Sequence, residues 1–319
     1  MTPKKRITVI TPCYNEQENI RGCYEAVKRL FDNKLKDYAL EHLFCDNHSS
    51  DRTVEILEEI AVTDTRVKVI VNANNFGVFR SMFNGIQNAT GDAVIPFFPA
   101  DMQDPPEVMI AFVQRWEEGY RVVYGQRDKR QEPWLIFKLR KLYYRLIRHF
   151  ARIDIPVDAG EYQLLDRKVV EALKLFDDYQ PYLRGMIASC GFKSIGVKYT
   201  WGKRHGGESK FRLPRLFDMA LNGMVSTTVF PIRLGMMGGG LLSLFSLVMA
   251  LFYLALYIFT DPPVSKGIML IIVSIFFFGG VQLFFISVIG EYVAAIHSQV
   301  RKGPLVVEER RINFDEERS

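Results

Sequence analysis

The sequence predicts an α/β domain with a mostly parallel sheet, then an amphipathic segment and a C-terminal hairpin of two membrane helices. Three observations predict it. Short β-branched runs alternate with helix-periodic stretches over roughly the first 126 residues. Two intervals near the C-terminus, 234–260 and 267–290, contain no charged residue and exceed the roughly 20 residues that span a bilayer. Basic residues flank the pair of intervals on both sides, with only Lys266 between them.

Taken in order, 7–11, 43–45, 67–71, 93–98 and 122–124 read as strands, and 16–31, 51–61, 78–89 and 106–118 between them as helices. The helical stretches repeat apolar residues at three and four spacing, and two open with early acids or a proline suited to the first turn. In 135–152, Lys138, Lys141, Arg145, Arg148 and Arg152 share one face and Leu135, Leu139, Leu142, Leu146 and Phe150 another. That is an amphipathic basic helix, either solvated or drawn to anionic lipid or an acceptor phosphate.

The chain has 319 residues with 41 Lys plus Arg against 36 Asp plus Glu, a net charge of +5, too small to mark a nucleic-acid binder by bulk charge. A mean hydropathy of +0.01 averages a polar first two thirds with the apolar C-terminal block. Cys13, Cys23, Cys45 and Cys190 lie far apart with no Cys-x-x-Cys pair, which argues against zinc or disulfides and for buried thiols in a reducing compartment. The basic N-terminus lacks an apolar stretch long enough for a signal peptide. Arg212, Arg215 and Arg233 before the hairpin, and Arg301, Lys302, Arg310 and Arg311 after it, place both termini in the cytoplasm of a membrane protein, by inference the bacterial inner membrane. Gly235 and Gly239 have the spacing that lets helices approach closely, as in a homo-oligomer. The expected divisions are 1–210 for the catalytic domain, 211–232 for the amphipathic segment, 233–297 for the hairpin and 298–319 for a cytoplasmic tail.

In parallel α/β sheets ligands bind beyond the carboxyl ends of the strands. There this chain carries Pro12-Cys13-Tyr14-Asn15-Glu16, Asp46-Asn47-His48-Ser49-Ser50-Asp51, Asn74-Asn75-Phe76-Gly77 and Asp101-Met102-Gln103-Asp104. None is a Gly-x-Gly-x-x-Gly or Walker loop, so dinucleotide dehydrogenases and P-loop enzymes lose their support. What remains is a nucleotide site built on acids and a divalent cation.

The ordered strings Thr11 to Glu16, Asp46 to Thr53, Asn75-Phe76-Gly77, Ala100 to Glu107, Asp158-Ala159-Gly160 and Gly207-Glu208-Ser209-Lys210 resemble the family 2 glycosyltransferases with a GT-A fold. More narrowly, the chain is similar to the polyisoprenyl-phosphate glycosyltransferases, which include dolichol-phosphate mannose synthases and bactoprenol glucosyltransferases. The resemblance covers 7–307. It implies a Rossmann-like GT-A cytosolic domain, a nucleotide-sugar donor, a polyprenyl phosphate acceptor at the membrane, and Mg²⁺ or Mn²⁺. It implies that Asp101 and Gln103 hold the metal and diphosphate, and that Asp104 caps the helix opened by Pro105-Pro106. By the same resemblance Pro12, Tyr14 and Glu16 wall the base and ribose, Asp46 accepts from the base, Arg127 contacts the diphosphate, and Asp158 is catalytic. Lys203, Arg204, His205 and Lys210 would close over the diphosphate. Pro99 departs from the family by replacing an acid, and Cys45 and Asn47 replace its Asp and Gly.

A departing diphosphate is best stabilised by a hard cation on oxygen ligands. The acceptor phosphate, with a second pKa near 6, is already largely ionised, so Asp158 is expected to orient it or to stabilise the oxocarbenium-like sugar. Asp158→Asn is expected to abolish most transfer and spare nucleotide binding. In-line displacement with no second carboxylate nucleophile implies inversion, with UDP-glucose or a related UDP-hexose as the donor. Removal of residues after Val225 is expected to spare the fold but harm turnover on long-chain acceptor. The alternatives are a catalytically silent nucleotide-sugar sensor or scaffold and, less suited to two helices, a processive synthase.

Overall fold

The computed structural model of the chain describes residues 4–127, 159–200, 202, single positions at 238, 241, 244, 245 and 248, 264–301 and 303–314. β1 (Arg6–Cys13), β2 (Ala39–Asp46), β3 (Val67–Asn72) and β4 (Ala93–Ile95) are joined by α1 (Ile20–Asn33), α2 (Thr53–Thr63) and α3 (Val78–Asn88). There follow α4 (Val108–Glu117), β5 (Val122–Arg127), β6 (Ala159–Asp166), α5 (Arg167–Lys174), α6 (Leu183–Ser189), β7 (Ser194–Tyr199), α7 (Val264–Val300) and β8 (Glu308–Ile312). Among the described residues the strands form one sheet in the order β7-β5-β6-β4-β1-β2-β3-β8.

β1 pairs parallel with β2 and β4, β2 with β3, and β5 with β7. β6 is antiparallel to both β4 and β5, and β8 is antiparallel to β3. The double reversal through β6 leaves β5 and β7 running the same way as β4. Six strands therefore end at one edge. That mixed but mostly parallel α/β sheet is the expected class.

The central strands are buried on both faces because helices cover both, which is why they read as near-continuous apolar runs. One layer packs Val27 and Phe31 of α1 with Phe112 and Trp116 of α4, and the other packs Met82, Phe83 and Ile86 of α3 with Val169 and Leu173 of α5. Each such side chain contributes about 1.5–3 kcal/mol on burial. β2 extends beyond the expected 43–45 because two interrupting polar residues are accommodated inside. Glu41 accepts from Thr8, Thr90 and Lys68, and His42 meets Thr11 at 3.0 Å. β4 stops at Ile95, short of the expected 98, because Pro96 has no N–H to donate.

One boundary expected in the C-terminal third needs revision. The segment read as a tail, 298–319, contributes β8, whose residues 308–312 pair with β3 and complete the sheet. The sheet therefore draws on residues beyond 1–210, and truncation after Val225 would strip an edge strand from it. The second expected span, 267–290, lies within α7, which continues to Val300. Among the residues of α7 whose side chains are described, no stretch is by itself long and apolar enough to cross a membrane. Only the single positions 238, 241, 244, 245 and 248 of the first span are described, and the amphipathic segment and the basic helix at 135–152 lie outside the described residues.

Candidate functional site

The carboxyl edge of the six co-directional strands gathers Cys13, Asp46, Asn72, Arg127 and Tyr199 at strand ends, with the 97–104 loop following β4. β6 begins at the same edge, where Ala159 lies opposite Gln126. Asp158 precedes that strand in sequence and, with Arg204 and Lys210, lies outside the described residues. The loops here are conformationally unusual. Asn15, His48 and Met102 all have positive φ, at 53°, 66° and 52°, one in each of the loops after β1, β2 and β4. Left-handed backbone costs a residue other than glycine about 1–2 kcal/mol, least for Asn, and such strain gathers where loops are shaped for a ligand.

The turn at Met102 separates the two expected metal residues. The Gln103 N–H donates to Asp101 Oδ1 at 3.3 Å, and the Gly202 N–H donates to the Gln103 carbonyl at 2.9 Å. A Cβ on Gly202 would lie 3.3 Å from that carbonyl oxygen, so glycine permits the close approach. Gly202 is thereby tied to the loop that carries the expected metal residues. Asp101 and the Gln103 side chain are oxygen-bearing groups of the kind that could hold Mg²⁺ or Mn²⁺ jointly with substrate phosphates. Among the described residues there is no group of three or more His, Cys, Asp or Glu that would cage a metal without substrate.

Asp104 corrects an expectation. α4 begins at Val108 with no side-chain cap, and the wholly buried Asp104 instead accepts two bonds from the Arg127 guanidinium at 3.1 Å each and one from the Tyr199 hydroxyl. Arg127 Nε in turn donates to Tyr199 at 3.2 Å. Burial opposes the guanidinium charge, but Asp104 and Tyr199 outweigh it and raise the Arg127 pKa. Burial beside Asp104 pushes the Tyr199 hydroxyl up as well. The arrangement fixes Arg127 as a cation at the edge. Nothing in the sequence pointed to Tyr199, which only the parallel register of β5 and β7 sets opposite Arg127.

Asp46 is fully buried, and its carboxylate accepts from the Ser49 N–H at 2.9 Å and from the Ser49 hydroxyl. Burial raises its pKa despite these bonds. His48 serves the loop, its backbone N–H donating to Asp46. Asn47 Oδ1 accepts from Asn72 Nδ2 and the Phe76 N–H at 3.2 and 3.0 Å, and its Nδ2 donates to Asn75 at 2.8 Å. Asn72, absent from the sequence reading, is 1% exposed and its Oδ1 has no hydrogen-bond partner among the described residues. An orphaned buried acceptor at a ligand edge is uncommon.

Pro12, next to last in β1, lies beside Cys45, and Tyr14 just past the strand is exposed. The Glu16 N–H donates to Thr53 Oγ1 at 2.9 Å and its carboxylate accepts from Asn19 at 2.7 Å, so Glu16 organises the entry to α1. Cys13, Cys23 and Cys45 are buried free thiols, as expected, whereas Cys190 is only half-buried. Burial pushes Cys23 up to about 12 and raises Cys13 and Cys45 too, leaving all three protonated and unreactive.

The family model described as Glycosyl transferase family 2 matches residues 8–174. The uncharacterized glycosyltransferase YkcC of Bacillus subtilis (strain 168) is 33% identical over 312 residues, 98% of this chain and 95% of that one. The SfII prophage-derived bactoprenol glucosyl transferase of Shigella flexneri is 32% identical over 94% of this chain and 96% of its own length. The prophage bactoprenol glucosyl transferase homolog of Escherichia coli (strain K12) is 30% identical over 96% and 99%.

Proposed function

The chain belongs to glycosyl transferase family 2, related to the bactoprenol glucosyl transferases, and from that membership we propose that it transfers a hexose from a nucleotide sugar to polyprenyl phosphate. The donor proposed is UDP-glucose or a related UDP-hexose, and the acceptor is met at the cytoplasmic face of the membrane. The observation that carries the reading is the Asp101-Met102-Gln103 turn in the loop after β4, left-handed at Met102 and tied through the Gln103 carbonyl to Gly202, whose Asp101 and Gln103 side chains are the proposed oxygen donors.

A Mg²⁺ or Mn²⁺ ion held by Asp101 and Gln103 would neutralise the leaving diphosphate. Arg127, kept charged and oriented by Asp104 and Tyr199, adds a fixed cation on the same edge. Tyr14 and the buried Asp46 bound the space for the base. The acceptor phosphate needs little deprotonation, so the assigned task of Asp158 is to orient it for in-line attack, which inverts the anomeric centre.

The membrane reading draws support from topology. β8 shares a sheet with the strands bearing Asp46 and Arg127, so residues before and after the apolar intervals lie on one side. An even number of crossings satisfies this, and the uncharged stretches 234–260 and 267–290 supply two.

Incubating the purified chain with radiolabelled UDP-glucose, Mg²⁺ and undecaprenyl phosphate tests the reading. Label is expected in the organic phase, reduced about 10²–10³-fold by Asp101→Asn, the cost typical of losing one group that stabilises developing charge. Nucleotide-sugar binding without transfer to any polyprenyl phosphate would favour the silent sensor.

A further inference from the structure

The amino edge of the sheet, opposite the candidate site, holds a cavity of about 830 Å³. Lys4 and Arg6 line it from the start of β1, Lys36 from the turn before β2, Arg66 and Lys68 from the start of β3, and Phe314 from beyond β8. Sorting these charges leaves a surplus. Arg66 is neutralised by Asp64 at 2.7 Å and Asp32 at 2.8 Å, and Lys68 by Glu41 at 2.9 Å. Lys4 donates to the Lys36 carbonyl at 2.6 Å and Arg6 to the Thr90 hydroxyl at 3.0 Å, both uncharged acceptors. Among the described residues no carboxylate pairs with the side chains of Lys4, Arg6 or Lys36; against these three positive charges stand the second carboxylate at Arg66 and that of Asp92, which accepts from the Arg6 N–H at 2.7 Å, so the mouth stays net positive.

Aromatic rings border the same space. Phe31 is buried in its wall, Tyr38 is partly buried, and Phe314 lies under Lys68 and Arg311 at 5.1 Å each. The Phe314 wall is held by its neighbour Asn313, whose side chain donates to the Ala61 and Val67 carbonyls at 2.8 and 2.9 Å. The volume falls within the roughly 300–1,000 Å³ of small-molecule sites. Three cations at one mouth match a group with several anionic oxygens better than a single carboxylate, and a guanidinium fork suits phosphate geometry.

We propose that this cavity binds a soluble small molecule bearing a phosphate or diphosphate, at a site separate from the carboxyl edge. Its phosphate meets Lys4, Arg6 and Lys36, and its remainder lies against Tyr38 and Phe314. The proposal is independent of the transfer reaction.

The test is calorimetric titration of pyrophosphate into the full chain in phosphatidylcholine nanodiscs, with EDTA present so that metal-dependent binding at Asp101 is silent. Saturable binding is expected, weakened about tenfold or more by the pair Lys4→Gln and Lys36→Gln, the loss of one charge-assisted hydrogen bond being worth about that factor. Arg6→Lys should retain most of the binding, Arg6→Gln should weaken it, and Asp101→Ala should leave it unchanged. No saturable binding, binding unaffected by the paired variant in a protein with an unchanged unfolding midpoint, or binding lost in Asp101→Ala would each overturn the proposal. Repeating the titration in nanodiscs containing phosphatidylglycerol separates the sources. Unchanged binding supports a soluble ligand, and its abolition would assign the cations to a lipid headgroup instead.

Discussion

Asp104 shows how far a residue's role depends on what the fold sets opposite it. In sequence it reads as the cap of the helix opened by Pro105-Pro106, yet its carboxylate is buried with the Arg127 guanidinium and the Tyr199 hydroxyl. Removing it would take a charged partner from beside a largely buried cation. Asp104→Ala is therefore expected to destabilise the chain by about 3–5 kcal/mol, and Tyr199→Phe, which removes one hydroxyl, by about 1 kcal/mol, both read from urea unfolding midpoints. If Arg127 contacts the donor, Tyr199→Phe should also raise the KM for the nucleotide sugar while folding stays near normal. Asp101, Gln103, Asp46 and Tyr14 were legible because each lies at the end of, or in the loop after, a strand that its own apolar run announces. Asn72 and Tyr199 were not, since an amide or phenol at a strand end carries no signal until its neighbours are known.

Among elements, β8 changes the domain most. It is short and charged, with the sequence Glu308-Glu309-Arg310-Arg311-Ile312, and no local pattern marks it as a strand. Its position comes from tertiary pairing with β3, from Asn84 donating to Glu308 at 2.6 Å, and from the two carbonyls that Asn313 engages. The exposed Arg310–Glu58 pair adds little. Deleting 308–319 should expose the edge of β3, lower stability by about 3 kcal/mol or more and promote association of the unpaired edge. Light scattering and a thermal melt would check this, and an unchanged melt with no aggregation would show that β8 is dispensable. α7 is tied to the same body, because Gln299 donates to the Asp177 carbonyl at 2.6 Å and accepts from the Tyr179 N–H at 2.9 Å.

For the whole molecule, acid response follows from groups the core holds in one protonation state. His42 is fully buried against Phe44, with ring centroids 4.0 Å apart, and burial lowers its pKa to about 3. Unfolded, it titrates near 6.5. As pH falls through that value the unfolded chain takes up a proton that the folded chain refuses, so stability is full above about pH 6.5 and declines towards pH 3, at up to about 1.4 kcal/mol per pH unit. Asp64 adds a lower limb. Hydrogen bonds from Arg66 hold its pKa at about 2, so its contribution is present above the ordinary carboxylate range and is lost as pH falls towards that value. Urea midpoints from pH 8 to 3 should show the decline beginning near 6.5, and His42→Asn should flatten that upper limb while leaving the lower one. A midpoint constant down to about pH 4.5 would contradict a neutral buried His42.

The sequence by itself determined the alternation of strands and helices, the parallel core of the sheet, the candidate metal loop and the family. Each of these is written in local periodicity or in contiguous strings. The tertiary structure alone decided that β6 reverses between β4 and β5, that Tyr199 and Asp104 share Arg127, that the presumed tail is a strand, and that unneutralised cations border a cavity at the far edge. The physical reason is separation along the chain. Periodicity reports which face of an element is apolar, but which charges meet and which edges pair depends on partners tens to hundreds of residues away, brought together only when burial of the two apolar layers closes the fold.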